Sequence, residues 1–330
     1  MPQTEIINQL GQVLVAVVTP MRADGEVDWA GVEALIDDCV TQGADGIVVS
    51  GTTGETSTLT DAEKIQLVRT AKQVASGRAR IISGGPSNET AHAIQLARES
   101  EAAGADGILL VTPYYLKPTQ SGVLTHIRMV ADATDLPVIL YDIPGRAGIP
   151  LTYETIVRAA KHPNVVAVKD AKGDFAQVSR VLNETSLAYY SGDDTHALAH
   201  AALGAVGVVS VTANIVSAAY RKMFDAVNAN DFATALSVHR DLEPLVRATM
   251  THIPGTVSTK YILHGLGRIG SPRVRLPLVG PEDAEAALIE ADIDAVESIP
   301  GVDFTDFRPD RNAAAGGALP RIPGAARRNA

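Results

Sequence analysis

Lys169 closes the apolar run Val165-Val166-Ala167-Val168, and an amine at the end of such a run is a candidate for Schiff-base chemistry. If the run is a buried strand, the ammonium faces an apolar mouth, where desolvation disfavours the charged form and frees the lone pair that attacks a ketone. The competing reading is an ion pair with Asp170 or a stem that snorkels to solvent. Tyr141 closes the preceding apolar run, and Thr52 and Tyr115 follow the second and fourth. Three hydroxyls so placed can converge on the amine as a proton relay, which carbonyl–amine condensation needs because protons move at several successive steps. The loop Gly51-Thr52-Thr53-Gly54-Glu55 offers successive backbone N–H groups as a carboxylate cradle, with a tight turn as the bland alternative. Arg146, after the fifth run, carries a guanidinium fork suited to bidentate capture of a carboxylate, unless it is a surface arginine. Thr19, Ser50, Thr112, Tyr114, Asp193 and Ser210 complete the polar groups at run ends.

Other signals carry less chemistry. Gly265-Leu266-Gly267-Arg268-Ile269-Gly270 matches a dinucleotide-binding fingerprint but follows a helical pattern and no strand. His196 and His200, at i and i+4 beside Asp193 and Asp194, have zinc-compatible spacing, yet no second His or carboxylate cluster accompanies them, so a pair of partly buried helix histidines is the default. Cys39, the only cysteine, sits among apolar helix residues as a packed thiol and excludes an intrachain disulfide.

These residues need a scaffold that brings strand ends together. Apolar runs rich in Val, Ile and Leu recur at 13–18, 46–50, 80–83, 107–112, 137–141, 165–169, 187–191 and 206–211. Helical patterns at 29–41, 61–75, 90–103, 123–133, 153–160, 175–183 and 196–203 alternate with them. Continuous rather than alternating hydrophobicity marks strands buried on both faces, as parallel strands are. Eight such units predict an α/β chain folded as a (β/α)₈ TIM barrel at 12–228, with catalytic groups at the C-terminal strand ends. Further helical patterns at 217–229, 232–251, 259–266 and 281–298 exceed what closes a barrel and predict a C-terminal helical appendage at 229–300. The stretch 306–330, poor in large apolar residues, reads as a disordered tail.

The 330 residues are 46% hydrophobic and 20% charged, enough to bury a large core. A formal net charge of −10 gives no attraction to polyphosphate or anionic lipid, so neither nucleic acid nor a membrane surface is an expected partner. With no export signal or membrane span in the sequence, a cytoplasmic location is expected.

Taken together, the 51–55 loop, Thr112-Pro113-Tyr114-Tyr115, Tyr141-Asp142-Ile143-Pro144-Gly145-Arg146, Val168-Lys169-Asp170-Ala171 and Ser191-Gly192-Asp193-Asp194 resemble the dihydrodipicolinate synthase/N-acetylneuraminate lyase family, on its synthase branch, over about residues 12–298. The resemblance implies a class I aldolase mechanism in which Lys169 condenses with pyruvate and the enamine attacks L-aspartate 4-semialdehyde, within diaminopimelate and lysine biosynthesis. It implies no metal and no organic cofactor. It gives Tyr141, Thr52 and Tyr115 the relay, Tyr115 arriving from a neighbouring subunit. Thr52 and Thr53 become holders of the pyruvate carboxylate, Arg146 the anchor of the semialdehyde carboxylate, and Gly192 and Val209 backbone linings of the lysine pocket. It also implies a homotetramer built as a dimer of dimers.

The chain departs from the family pattern in places. Gly84-Gly85-Pro86 stands where Gly-Thr-Gly is usual, and Thr56 replaces a serine. Asp61, Lys64 and His92 occupy positions that hold histidines and a glutamate in lysine-inhibited members, although Asn88 and Tyr114 remain; weak or absent inhibition by L-lysine is expected. The alternatives are a pyruvate-dependent lyase acting on a sugar acid or another 2-keto acid, a metal-dependent enzyme built on His196 and His200, and a non-catalytic paralogue.

Overall fold

The runs of continuous hydrophobicity fold as eight short strands, each four to six residues long and almost wholly buried. The computed structural model describes residues 3–314. In chain order the elements are α1 (Gln3–Leu10), β1 (Val13–Ala16), α2 (Trp29–Thr41), β2 (Gly46–Val49), α3 (Asp61–Ala75), β3 (Arg80–Ser83), α4 (Thr90–Ala102), β4 (Gly107–Val111), α5 (Gln120–Ala131) and β5 (Val138–Asp142). They continue with α6 (Pro144–Ala147), α7 (Tyr153–Ala159), β6 (Val165–Asp170), α8 (Phe175–Glu184), β7 (Ala188–Ser191), α9 (Ala197–Ala202), β8 (Gly207–Ser210) and α10 (Ala213–Asn228). The C-terminal helices are α11 (Phe232–Met250), α12 (Gly255–Gly265), α13 (Asp283–Asp294) and the single turn α14 (Arg311–Ala314).

All neighbouring strands are parallel, and β1 pairs with both β2 and β8, so the sheet closes on itself as a (β/α)₈ barrel. Helix starts follow local chemistry. Asp28, Thr60, Thr119, Thr152, Asp174 and Asp231 each accept a hydrogen bond from an early helix amide, and Thr60 with Glu63 forms a reciprocal capping box. One apolar layer fills the barrel and others lie between strands and helices. The helices α10 to α13 share the apolar cluster that packs the outside of β1 and β2, through residues such as Phe224, Leu242, Ile262 and Ile289.

Where structure and pattern differ, the reasons are local. The α1 helix falls outside the predicted elements; its Ile6 and Leu10 enter the interior cluster and close the N-terminal end of the barrel. The α12 helix starts at Gly255, before the predicted 259, because its residues from 255 to 263 are all buried and no polar face marks a period. The α10 helix starts before 217 because non-helical backbone at Val216 interrupts the pattern. Of the expected tail, residues 315–330 lie outside the described residues. Phe307 packs against the C-terminal helical cluster, the Arg308 amide donates to the Gly265 carbonyl at 2.8 Å, and Arg311 pairs with Glu290.

Leu10 is fully buried at the barrel floor. Leu10→Ala is expected to cost about 2–5 kcal/mol, the range for truncating a buried leucine, read as a lower denaturation midpoint at unchanged slope.

Candidate active site

Lys169 stands on β6 directly opposite Tyr141 on β5 in the parallel register. Its ammonium lies over the Tyr141 ring, 4.1 Å from the centroid, and the residue is 5% exposed. Among the described residues Lys169 makes no ion pair. Asp170, the candidate partner, is engaged elsewhere: its Oδ1 accepts the Lys172 and Gly173 amides at 2.7 and 2.9 Å. The next strand leaves room for the lysine stem through one glycine. A Cβ on Gly192 would lie 2.8 Å from Lys169 Cγ and 2.9 Å from Cε, so no other residue fits there without moving the amine.

Beside this pair opens a cavity of about 310 Å³ whose lining includes Thr52, Tyr114, Tyr141, Arg146, Pro86, Thr256, Pro277 and Leu278. Thr52 and Thr53 lie on the turn after β2. Among the described residues neither of their amides donates a hydrogen bond; the turn is closed instead by Glu55 N–H to Thr52 O and Thr56 N–H to Gly51 O, each 3.2 Å. Two free N–H groups on consecutive residues of one turn, the first of them lining the cavity, suit a carboxylate. Gly84 lets β3 end against this turn, since a Cβ there would meet Gly51 Cα at 2.8 Å. Arg146, on α6, reaches the cavity rim with its guanidinium free of any protein acceptor among the described residues.

The structure brings Lys169, Tyr141, Thr52, Arg146 and Gly192 into one neighbourhood and sets others apart. Thr53 and Val209 are buried and do not line the cavity; Val209 packs inside the barrel with Tyr141. Tyr115 is 87% exposed, with φ at 71°, so within one chain only two of the three hydroxyls converge. Phe175 packs edge-on against the rings of His196 and His200, and His200 Nδ1 lies 3.1 Å from Ser191 Oγ. Among the described residues no group of three His, Cys, Asp or Glu side chains gathers at metal-binding distance. The Cys39 thiol is buried, and burial pushes its pKa up to about 12. The 265–270 glycines lie at the end of α12 and in the turn after it, away from any strand.

Sequence reasoning missed the groups that hold the 51–55 turn. Glu55 forms a fully buried ion pair with Lys260 of α12 and accepts the Arg275 amide at 2.8 Å. The Arg275 guanidinium pairs with Glu63 at 2.6 Å and donates to Thr58 O and Gly25 O. That guanidinium holds the Glu63 carboxyl down at about 2. No local pattern links residues some 200 positions apart, so only the closed barrel could reveal them.

A buried lysine at the end of the sixth barrel strand, lying over a tyrosine ring beside a cavity and a turn with free amides, defines a site of the class I aldolase type. The chain belongs to the dihydrodipicolinate synthetase family, whose model matches residues 9–296. It is 47% identical over 287 residues to a 4-hydroxy-tetrahydrodipicolinate synthase of Kineococcus radiotolerans, covering 87% of this chain and 93% of that one. A second such synthase, from Streptomyces coelicolor, is 46% identical over 291 residues, covering 88% and 95%. Among solved structures, a dihydrodipicolinate synthase from Acinetobacter baumannii in complex with pyruvate superposes with a TM-score of 0.83 at 38% identity, covering 87% of this chain and 99% of that one.

Gly192→Ala is expected to leave the fold intact and to slow pyruvate-dependent borohydride inactivation by about tenfold or more, because displacing a reacting group by an ångström costs far more rate than stability. Unchanged inactivation would show that the Lys169 stem does not depend on that space.

Proposed function

We propose that the chain condenses pyruvate with L-aspartate 4-semialdehyde through a Schiff base on Lys169, the reaction of a 4-hydroxy-tetrahydrodipicolinate synthase. The observation that carries this reading is the Lys169–Tyr141 pair, with Tyr141 sharing a cavity with Thr52 of the turn whose Thr52 and Thr53 amides are free among the described residues. The Lys169 ammonium passes a proton to the Tyr141 and Thr52 hydroxyls, the neutral amine attacks C2 of pyruvate, and return of that proton as water leaves gives an iminium. The iminium restores a positive charge at that nitrogen, where the Tyr141 ring face attracts it as it does the resting ammonium. Loss of a methyl proton gives the enamine, whose carbon attacks the aldehyde. The amine of the semialdehyde then displaces Lys169 by transimination and closes the ring.

In this reading Tyr141 and Thr52 move protons between amine and solvent, and the Thr52 and Thr53 amides hold the pyruvate carboxylate. Arg146 takes the second carboxylate; a guanidinium at the rim favours a charged co-substrate over a polyhydroxy chain, which supports the synthase over the sugar-acid lyase. Gly192 and Val209 line the Lys169 side chain with their backbone. No metal or organic cofactor enters the scheme. Tyr115 completes the relay of a second copy, so the smallest active unit is a dimer and the assembly is a tetramer made of two. The adjacent exposed Tyr115 and Leu116, on left-handed backbone at Tyr115 and Lys117, support an interface there. No helix among the described residues is long and apolar enough to cross a membrane. The reading places the enzyme in the cytoplasm, where a lone cysteine stays reduced.

Incubation with pyruvate and borohydride is expected to fix one adduct on Lys169, and the protein is expected to turn over L-aspartate 4-semialdehyde; a lack of adduct would overturn the mechanism. Mixing inactive Tyr115→Phe and Thr52→Val proteins is expected to restore about a quarter of the sites, because a mixed dimer carries one intact site. No recovery would place the relay within one chain. Asp61 accepts from both Lys64 and His92, at 3.3 and 2.8 Å, which occupies these three groups with one another, while Asn88 Nδ2 donates to Tyr114 O at 3.1 Å. L-lysine at low millimolar concentration is therefore expected to leave turnover unchanged, and half-inhibition in that range would contradict this.

A further inference from the structure

Asp142 ends β5 next to Tyr141 and is 1% exposed. Its Oδ1 accepts the Leu151 amide at 3.0 Å, closing with one side chain the nine-residue excursion that contains α6 and Arg146. Its Oδ2 has no hydrogen-bond partner among the described residues. Its carbonyl accepts the Ala171 amide at 2.9 Å, two residues beyond Lys169, so the same residue joins the ends of both reacting strands. Leu151 is held a second time, its carbonyl accepting from Gln177 Nε2 at 3.4 Å.

The excursion needs such a fastening. The α6 helix is one turn long, has no side-chain N-cap and stops at Gly148 with φ at 77°. The Arg146 guanidinium bonds to no protein acceptor among the described residues, so its place is inherited from the loop, whose middle is held by Tyr115 N–H to Ala147 O at 3.2 Å and Gln120 Nε2–H to Pro150 O at 2.9 Å and whose ends are fixed separately. One end is the β5 strand. The other is the Leu151 amide. We propose that Asp142 is the positioning residue for the co-substrate carboxylate: by fixing Leu151 it sets where Arg146 stands, and it does so without touching substrate. The inference rests on the reading that Arg146 anchors the semialdehyde.

The charged neighbours of Asp142 are Asp170 on β6 and Lys172 and Asp174 on the loop that follows, with the buried, unpartnered Tyr189 hydroxyl on β7 also near. Burial, reinforced by Asp170 and Asp174 and opposed by the Leu151 amide and Lys172, raises the carboxyl to about 7. A neutral acid at this place has the shape and hydrogen-bonding of an asparagine, which keeps the acceptor for Leu151 and adds a donor where Oδ2 has none. Between the ordinary carboxylate range and pH 7 the native state holds a proton that the unfolded chain has released, so native stability falls as pH rises through that window.

The test measures both substrates separately in Asp142→Asn, Asp142→Ala and Asp142→Ser. Asp142→Asn is expected to turn over within about twofold of the parent and to flatten the fall in melting temperature between about pH 4 and 7. Asp142→Ala and Asp142→Ser are expected to raise KM for L-aspartate 4-semialdehyde by about tenfold, the scale of one lost hydrogen bond, while KM for pyruvate and pyruvate-dependent borohydride trapping stay unchanged. Adding Asp142→Ala to Arg146→Ala is expected to cost nothing further. Equal losses for both substrates, an unchanged semialdehyde KM, or failure of both the Ala and Ser proteins to fold would assign the carboxyl to stability alone and overturn the proposal. If Arg146→Ala itself leaves the semialdehyde KM unchanged, the fault lies in the reading of Arg146, and the proposal falls with it.

Discussion

The ion pair between Glu55 and Lys260 is the constraint on which the site depends, because it ties the turn after β2 to a helix far along the chain. Both side chains are wholly buried. Taking two charges out of water costs several kcal/mol each, and the cost is met only if each finds further partners. They do: Lys260 Nζ also donates to Arg273 O at 2.8 Å, and Glu55 Oε2 accepts the Arg275 amide. Burial pulls the Lys260 pKa down and the Glu55 carboxylate pushes it back up. An uncompensated charge would remain if either were removed, which makes the turn and the C-terminal helices a single unit.

This explains how the turn holds a conformation its sequence does not favour. Ser50 and Glu55 both sit at positive φ, 50° and 63°, and residues other than glycine pay of order 1–3 kcal/mol for such backbone. With Glu55 pinned, the chain between them must arch, and among the described residues the arch leaves the Thr52 and Thr53 amides without an acceptor, Thr52 at the cavity wall. Arg275 extends the same clamp to Glu63 of α3, and beyond it Pro277 and Leu278 form a wall of that cavity. The C-terminal helices therefore build the site as well as covering the barrel.

Much of this arrangement was legible in sequence. Parallel strands buried on both faces leave continuous apolar runs, and the polar residue that ends each run must lie at the barrel mouth, so Lys169, Tyr141, Thr52 and Arg146 could be picked out one strand at a time. What could not be read was anything requiring two distant segments. Lys260 lies in a helix buried on every side, where no period marks a functional face, and Arg275 looks like any loop arginine. The α1 helix was silent for a related reason: eight residues carrying two deeply buried apolar side chains make no distinct pattern until there is a barrel floor to fill. Tyr115 marks the opposite limit, since the sequence flags the residue while a single chain leaves its hydroxyl in solvent.

The parallel register supplies the remaining economy. Opposite positions on adjacent parallel strands stay in step, so one pairing places Tyr141 against Lys169 and the next places Asp142 against Asp170. The first pair faces the barrel interior beside the cavity; the second, one residue on, faces the helices and holds the loops that leave both strands. Alternation of side chains along a strand thus separates chemistry from support within two consecutive residues. A shift of one residue in this ladder would exchange the two layers, putting carboxylates in the cavity and the amine under the helices, which is why the register of β5 on β6 is as much a part of the site as the lysine.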